Sequence, residues 1–215
     1  GLTADLNLIA TAPHLLPGWL RMPQGHRVVG PVYARLPGEL PEFLADLAAG
    51  PQPLVYFAMG SSGNRDLVLH VLAGLGRADC QVLAPVRSHL RQEDLGTLPR
   101  NVHVTDWLPA HQLGDAVDLA ITHGGEGTVQ TSCVQGWPFI GIPLQFEQRF
   151  NVQRCVAFGS ARLVSQREAR RTDWAELVRQ ALSDDGMRSR ARRMAGLMEG
   201  LDGPGRAAEA ICELL

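Results

Sequence analysis

The sequence contains no lysine; all twenty basic residues are arginine, set against twenty-two acidic ones. This uniformity reads as a coding bias rather than a demand for guanidinium groups. The formal net charge of -2 leaves no positive surplus to neutralise a phosphodiester backbone, so nucleic acid is not the expected partner. Cysteine is scarce and scattered. Cys80, Cys133, Cys155 and Cys212 form neither a CxxC pair nor a Cys/His cluster, which argues against zinc and against a disulfide scaffold. No apolar run reaches the length of a membrane span, and no basic stretch followed by an apolar core and a cleavage site opens the chain. The expectation is a cytoplasmic protein with no transmembrane segment. No acidic cluster suited to magnesium or manganese is visible.

What is present is enough for a core: 215 residues, 45% of them hydrophobic, the size of one α/β domain with a short attachment. From Leu54 onward, short apolar runs at 54–58, 81–85, 102–105, 119–122, 139–142 and 162–164 alternate with helix-length segments at 65–75, 111–115, 127–135, 148–158 and 173–182. Strands that are apolar throughout are buried on both faces, as in a parallel sheet covered by helices. The pattern predicts an α/β fold, a doubly wound Rossmann-like parallel sheet. Two further helices, 186–200 and 205–214, flank Asp202-Gly203-Pro204 and pack outside the sheet. The first fifty residues break the repeat: a strand-like stretch at 4–10 is followed by Pro13, Pro17, Pro23, Pro31, Pro37 and Pro41, the composition of an extended, surface-hugging connection. The chain begins with Gly1 rather than Met, as if within a longer protein.

The stretch richest in chemistry is Thr122-His123-Gly124-Gly125-Glu126-Gly127-Thr128. A strand ending at a glycine-rich turn that opens a helix aims unpaired N–H groups and a positive dipole end at one point, an anion site. The small glycines allow close approach of a phosphate, while the Thr128 hydroxyl and a ring nitrogen of His123 can each add a hydrogen bond. A second turn, Met59-Gly60-Ser61-Ser62-Gly63, follows the first long strand. In a doubly wound sheet the two turns face each other across the switch point, and two such turns suit a diphosphate. Trp107, in Asp106-Trp107-Leu108-Pro109, is set to stack on a nucleobase. Each feature has a plainer reading, as a capped βα turn or a packed tryptophan.

Taken together, Trp107-Leu108-Pro109, His123-Gly124-Gly125-x-Gly127-Thr128, Gly136-Trp137-Pro138, Pro143, Glu147-Gln148 and Asn151 resemble the donor-binding signature of family-one glycosyltransferases, which include bacterial antibiotic and macrolide enzymes. Residues 27–32 resemble the interdomain linker of that family, and residues 2–12 the close of its N-terminal domain. The resemblance implies that the chain is the C-terminal half of a GT-B fold. Residues 1–50 would be the end of the N-terminal domain and the linker, and 51–215 the nucleotide-sugar-binding domain. It gives Trp107 the base, Leu108 a backbone contact to the base edge, and Ser61, His123, Gly125, Gly127 and Thr128 the diphosphate. Glu147 and Gln148 take the hydroxyls of the sugar. It also implies an inverting transfer without an essential metal, with the general base in a missing N-terminal acceptor domain.

Three departures stand out. Ala110 replaces a frequent Gln, Glu147 replaces Asp, and Thr131 replaces a Glu that would bind both ribose hydroxyls. The loss at Thr131 favours a dTDP-sugar over a UDP-sugar. Two other possibilities stay open on the residues: another nucleotide-sugar enzyme on this fold, such as an epimerase, or a non-catalytic subunit that pairs with a separate acceptor-binding chain.

Overall fold

The computed structural model describes residues 4–33, 35 and 37–214; residues 1–3, part of the linker-like start, lie outside them. In chain order the elements are β1 (Asn7–Ile9), β2 (His26–Val28), α1 (Phe43–Ala49), β3 (Leu54–Ala58), α2 (Arg65–Leu75), β4 (Gln81–Ala84) and α3 (Gln92–Leu95). There follow β5 (Val102–Val104), β6 (Leu119–Thr122), α4 (Glu126–Gln135), β7 (Phe139–Gly141), α5 (Phe146–Phe158) and β8 (Ala161–Leu163). Four helices close the chain: α6 (Gln166–Ala169), α7 (Trp174–Leu182), α8 (Asp185–Met198) and α9 (Gly203–Cys212).

Six strands form one parallel sheet in the order β5-β4-β3-β6-β7-β8. Winding runs one way from β3 and the other way from β6, so the expected switch point lies between these paired neighbours, with Val55 opposite Leu119 and Ala58 opposite Thr122. Strand β3 is buried along its whole length. Val55 and Phe57 enter a core with Val68, Leu72 and Trp174 under α2 and α7, while Leu54, Tyr56 and Ala58 enter the opposite core with Val129, Phe139 and Met194. Two-sided burial is why this strand reads as an unbroken apolar run. Asn64 starts α2 by accepting from the Leu67 N–H at 3.0 Å, satisfying one of the helix's orphan donors. Arg65, at its first turn, holds Asp94 in a two-pronged ion pair.

The first fifty residues are more structured than the proline density suggests. β1 and β2 form a two-stranded parallel sheet, Asn7 opposite His26, and α1 has no counterpart in the apolar pattern. Ala12, Leu15 and Leu44 are buried in the same core as Tyr56, so tertiary burial supplies the order that local composition does not. The helix expected at 111–115 is instead two short 3-10 turns, Ala110–Gln112 and Gly114–Ala116. Gly114 breaks it with a φ of 53°, and its carbonyl accepts from Trp137 Nε1 at 2.8 Å. The last helix starts earlier than expected. Asp202 is its N-cap, accepting from the Gly205 N–H at 2.9 Å, and Pro204 sits in the first turn, where its missing N–H is not needed. No described helix is long and apolar enough to cross a membrane.

Candidate functional site

The carboxyl ends of β3 and β6 deliver their turns to one place. Gly60, at φ 53°, lies against the His123 ring, so that a Cβ there would come within 2.6 Å of His123 Cε1. A Cβ on Gly125 would overlap His123 Nε2 from the other side. The imidazole is thus clamped between two glycines, one from each turn, and both turns need glycine to make room for it. Gly124, at φ 84°, answers to a different constraint, the backbone and side chains of α5. Gly127 alone of these is open, and a Cβ added to it would meet nothing within 4 Å.

His123 is 7% exposed, and its Nδ1 has no hydrogen-bond partner among the described residues. Burial lowers its pKa, with the nearby Ala58 carbonyl and Glu147 charge pulling the other way and His89 adding to the fall. The ring is therefore neutral at pH 7 and offers one donor. Helix α4 starts just beyond, and its N-cap, Gly125, provides no side-chain acceptor for the first N–H groups, which leaves them aimed into the turn. The Thr128 hydroxyl donates to the Gly125 carbonyl at 2.9 Å and accepts from Thr122 at 2.8 Å. Its proton is engaged in shaping the turn.

A crevice of about 230 Å³ runs from this turn along the sheet edge, lined by Tyr33, Tyr56, Gly60, Trp107, Gly127 and Thr131 among others. Trp107 is 57% exposed on its wall, which favours a stacking surface over a tryptophan packed under a loop. Leu108 is buried, its carbonyl accepting from the Ala110 N–H at 2.9 Å. Thr131 donates its hydroxyl to the Gly127 carbonyl at 2.8 Å. Ser61 is exposed at the tip of the first turn. Its neighbour Ser62 makes the cross-link between the turns' surroundings, accepting from Gln148 Nε2 at 3.2 Å.

The Glu147-Gln148 pair divides. Glu147 is exposed, and Asn151 Nδ2 donates to its Oε1 at 2.6 Å and to the Gly124 carbonyl at 3.1 Å, which orients the carboxylate beside the turn. Gln148 is 3% exposed. Its Oε1 accepts from the Leu144 and Gln145 N–H groups, capping α5, while its Nε2 reaches Ser62. Its carbonyl oxygen is thus a helix cap, and one amide proton has no partner among these bonds. Sequence reasoning also passes over Tyr33 and His89. Tyr33 reaches the crevice from a distant stretch, with no local signal. His89 meets the Gly60 carbonyl at 2.6 Å and so fixes the first turn. Among the described residues no group of three or more His, Cys, Asp or Glu is placed to hold a metal ion.

A parallel sheet wound both ways from β3 and β6, with two glycine turns meeting at its carboxyl edge, is a Rossmann-like arrangement, and it matches the C-terminal half of GT-B glycosyltransferases. The chain belongs to the family described as erythromycin biosynthesis protein CIII-like, C-terminal domain, whose model matches residues 69–214. It is 30% identical over 193 residues to a PGL/p-HBAD biosynthesis glycosyltransferase of Mycobacterium tuberculosis, covering 89% of this chain and 44% of the relative. It is 25% identical over 204 residues to the 3-alpha-mycarosylerythronolide B desosaminyl transferase of Saccharopolyspora erythraea, covering 93% and 48%. The chain therefore spans about half the length of the curated relatives it matches. Among solved structures, the calicheamicin glycosyltransferase CalG4 superposes with a TM-score of 0.77 at 22% identity over 98% of this chain and 52% of that one. The spinosyn rhamnosyltransferase SpnG complexed with thymidine diphosphate gives 0.79 at 21%, over 99% and 57%.

Proposed function

We propose that the chain is the donor-binding half of an inverting glycosyltransferase, which moves a sugar from a dTDP- or UDP-sugar to a small-molecule acceptor in the cytoplasm. The observation that carries this reading is the clamp at the switch point: a neutral, nearly buried His123 held between Gly60 and Gly125, beside the uncapped start of α4, whose Gly127 and Thr128 line the Trp107 crevice. Neutral donors and a helix dipole suit an anion that gains charge as the sugar leaves. In this reading they carry the diphosphate charge that a metal carries elsewhere, and no cofactor is needed. Trp107 stacks on the base and Glu147 meets the sugar hydroxyls, with Gln148 limited to its amide. Residues 1–50 are the end of the N-terminal domain and the linker, and 51–215 the donor domain. The acceptor site and general base belong to the other half, so the isolated chain binds nucleotide without transferring sugar. Turnover by this chain alone would contradict the assignment.

Trp107→Ala separates the base from the phosphates. Loss of stacking weakens nucleoside diphosphate binding by about 1–3 kcal/mol and leaves pyrophosphate binding unchanged. Equal losses for both ligands would mean that Trp107 acts through packing instead.

The nucleotide preference rests on Thr131. A carboxylate there would accept from both ribose hydroxyls, whereas the Thr131 hydroxyl is already bonded to the Gly127 carbonyl and cannot span two. A deoxyribose loses less by that exchange, an effect of about 1 kcal/mol. Side-by-side titration is expected to give tighter binding of dTDP than of UDP, and the reverse order would refute the preference.

A further inference from the structure

Glu126 is an unusual residue for its place. It occupies the first position of α4, where the diphosphate is proposed to meet the helix N–H groups, and a side-chain carboxylate there carries the same sign as the ligand. Its surroundings show which end of the ligand it faces. Gly127, Thr128 and Thr131 line the crevice that leads to Trp107. Glu126 lines a separate small cavity on the other side, with Thr11, Leu15, Phe150, Asn151 and Arg154. Asn151, which lines the same cavity, also holds Glu147, the residue proposed to meet the sugar, and the Glu147 charge acts on Glu126, so Glu126 lies on the sugar side of the turn and away from the Trp107 crevice.

The carboxylate is held there by named contacts. Gln130 Nε2 donates to Glu126 Oε1 and also to the Ala10 carbonyl at 2.6 Å, and the Thr11 hydroxyl faces the same group. Burial raises the pKa of Glu126, those two partners oppose the rise, and the Glu147 charge adds to it. Of the other charged groups nearby, Arg154 from α5 lines the same cavity but donates its Nε to the Leu15 carbonyl at 2.7 Å, and His123 is neutral at pH 7. Glu126 takes part in none of the ion pairs among the described residues. Its charge is hydrogen-bonded but not neutralised.

We propose that Glu126 is a specificity-determining residue that favours the nucleotide-sugar over the free nucleoside diphosphate, by placing an uncompensated carboxylate at the terminal-phosphate end of the donor site. This rests on the donor-site reading given above. The terminal phosphate of a free nucleoside diphosphate loses its second proton at about pH 6, as phosphate monoesters do, whereas in the nucleotide-sugar that oxygen is esterified. Above that pH the free nucleotide carries one more negative charge, and repulsion from Glu126 acts more strongly on it. In the complete enzyme the same repulsion would hasten release of the leaving nucleotide.

The test is calorimetric titration of the chain and of Glu126→Gln with dTDP and with dTDP-glucose, from pH 5.5 to 8.5. Gln keeps the hydrogen-bonding shape and removes the charge, and thermal melting confirms that the variant folds. At pH 8 the variant is expected to bind dTDP roughly five-fold more tightly, with a clearly smaller gain for dTDP-glucose. In the wild type the preference for dTDP-glucose should grow as pH rises and the terminal phosphate loses its second proton. Equal gains for both ligands, or no gain, would overturn the specificity role. Failure of the wild type to bind either ligand at any pH would overturn the donor-site reading itself, and this inference with it.

Discussion

Gly124→Ala is expected to lose about 3 kcal/mol of folding stability. Gly124 sits at φ 84°, and a Cβ there would come within 2.6 Å of Val152 Cγ2 and 2.8 Å of the Gln148 carbonyl oxygen. The left-handed backbone costs an L-residue about 1–2 kcal/mol. Overpacking adds about 1–3 kcal/mol, because Val152 is fully buried and a backbone carbonyl cannot turn aside. Gly127→Ala supplies the contrast. It lies within α4 with open space around it, so alanine there should raise stability by about 0.5–1 kcal/mol. Denaturant unfolding of the two variants should shift in opposite directions. An unchanged midpoint for Gly124→Ala would show that the turn and α5 are not packed as described.

His123→Ala is expected to weaken nucleoside diphosphate binding by about 1–3 kcal/mol, the range for a hydrogen bond to a charged group. The ring is clamped between Gly60 and Gly125, so it is pre-positioned, and its contribution does not depend on charge. Because burial lowers its pKa, the folded state resists protonating it. The linked stability is fully present above the ordinary histidine range and is lost as pH falls through the lowered folded value. Binding through a neutral ring should therefore show no fall between pH 7 and 8 that His123→Ala abolishes. Unchanged affinity in the variant would reduce His123 to a spacer between the turns.

Much of the donor half is legible in the sequence because its central strands are sealed on both faces and its turns are written in glycine. β3 and α2 fall at 54–58 and 65–75 as their apolar runs and the Asn64 cap dictate. Elements whose order comes from distant packing are not legible. α1 is held by Leu44 in a core built by β3 and α4, and β1 and β2 are short strands that have only each other. The same distinction divides the site. The meeting of the two turns follows from strand order, and the exposure of Trp107 agrees with its place after a strand end. The steric work of Gly60 and Gly125 around His123, and of Gly124 against α5, depends on neighbours that spacing does not reveal. The capping of α5 by the Gln148 carbonyl is likewise a local use that the Glu147-Gln148 motif does not reveal. Glu126 is visible as a charge inside a glycine turn, but only its contacts with residues 10, 11 and 130 show which way it faces.

The most direct test of the account is calorimetric titration of the 215-residue chain with dTDP, beside the same titration of His123→Ala. The account predicts saturable one-to-one binding that the variant weakens by about 1–3 kcal/mol. Absence of saturable binding by the folded wild-type chain would contradict the assignment of the β3–β6 switch point as a diphosphate site.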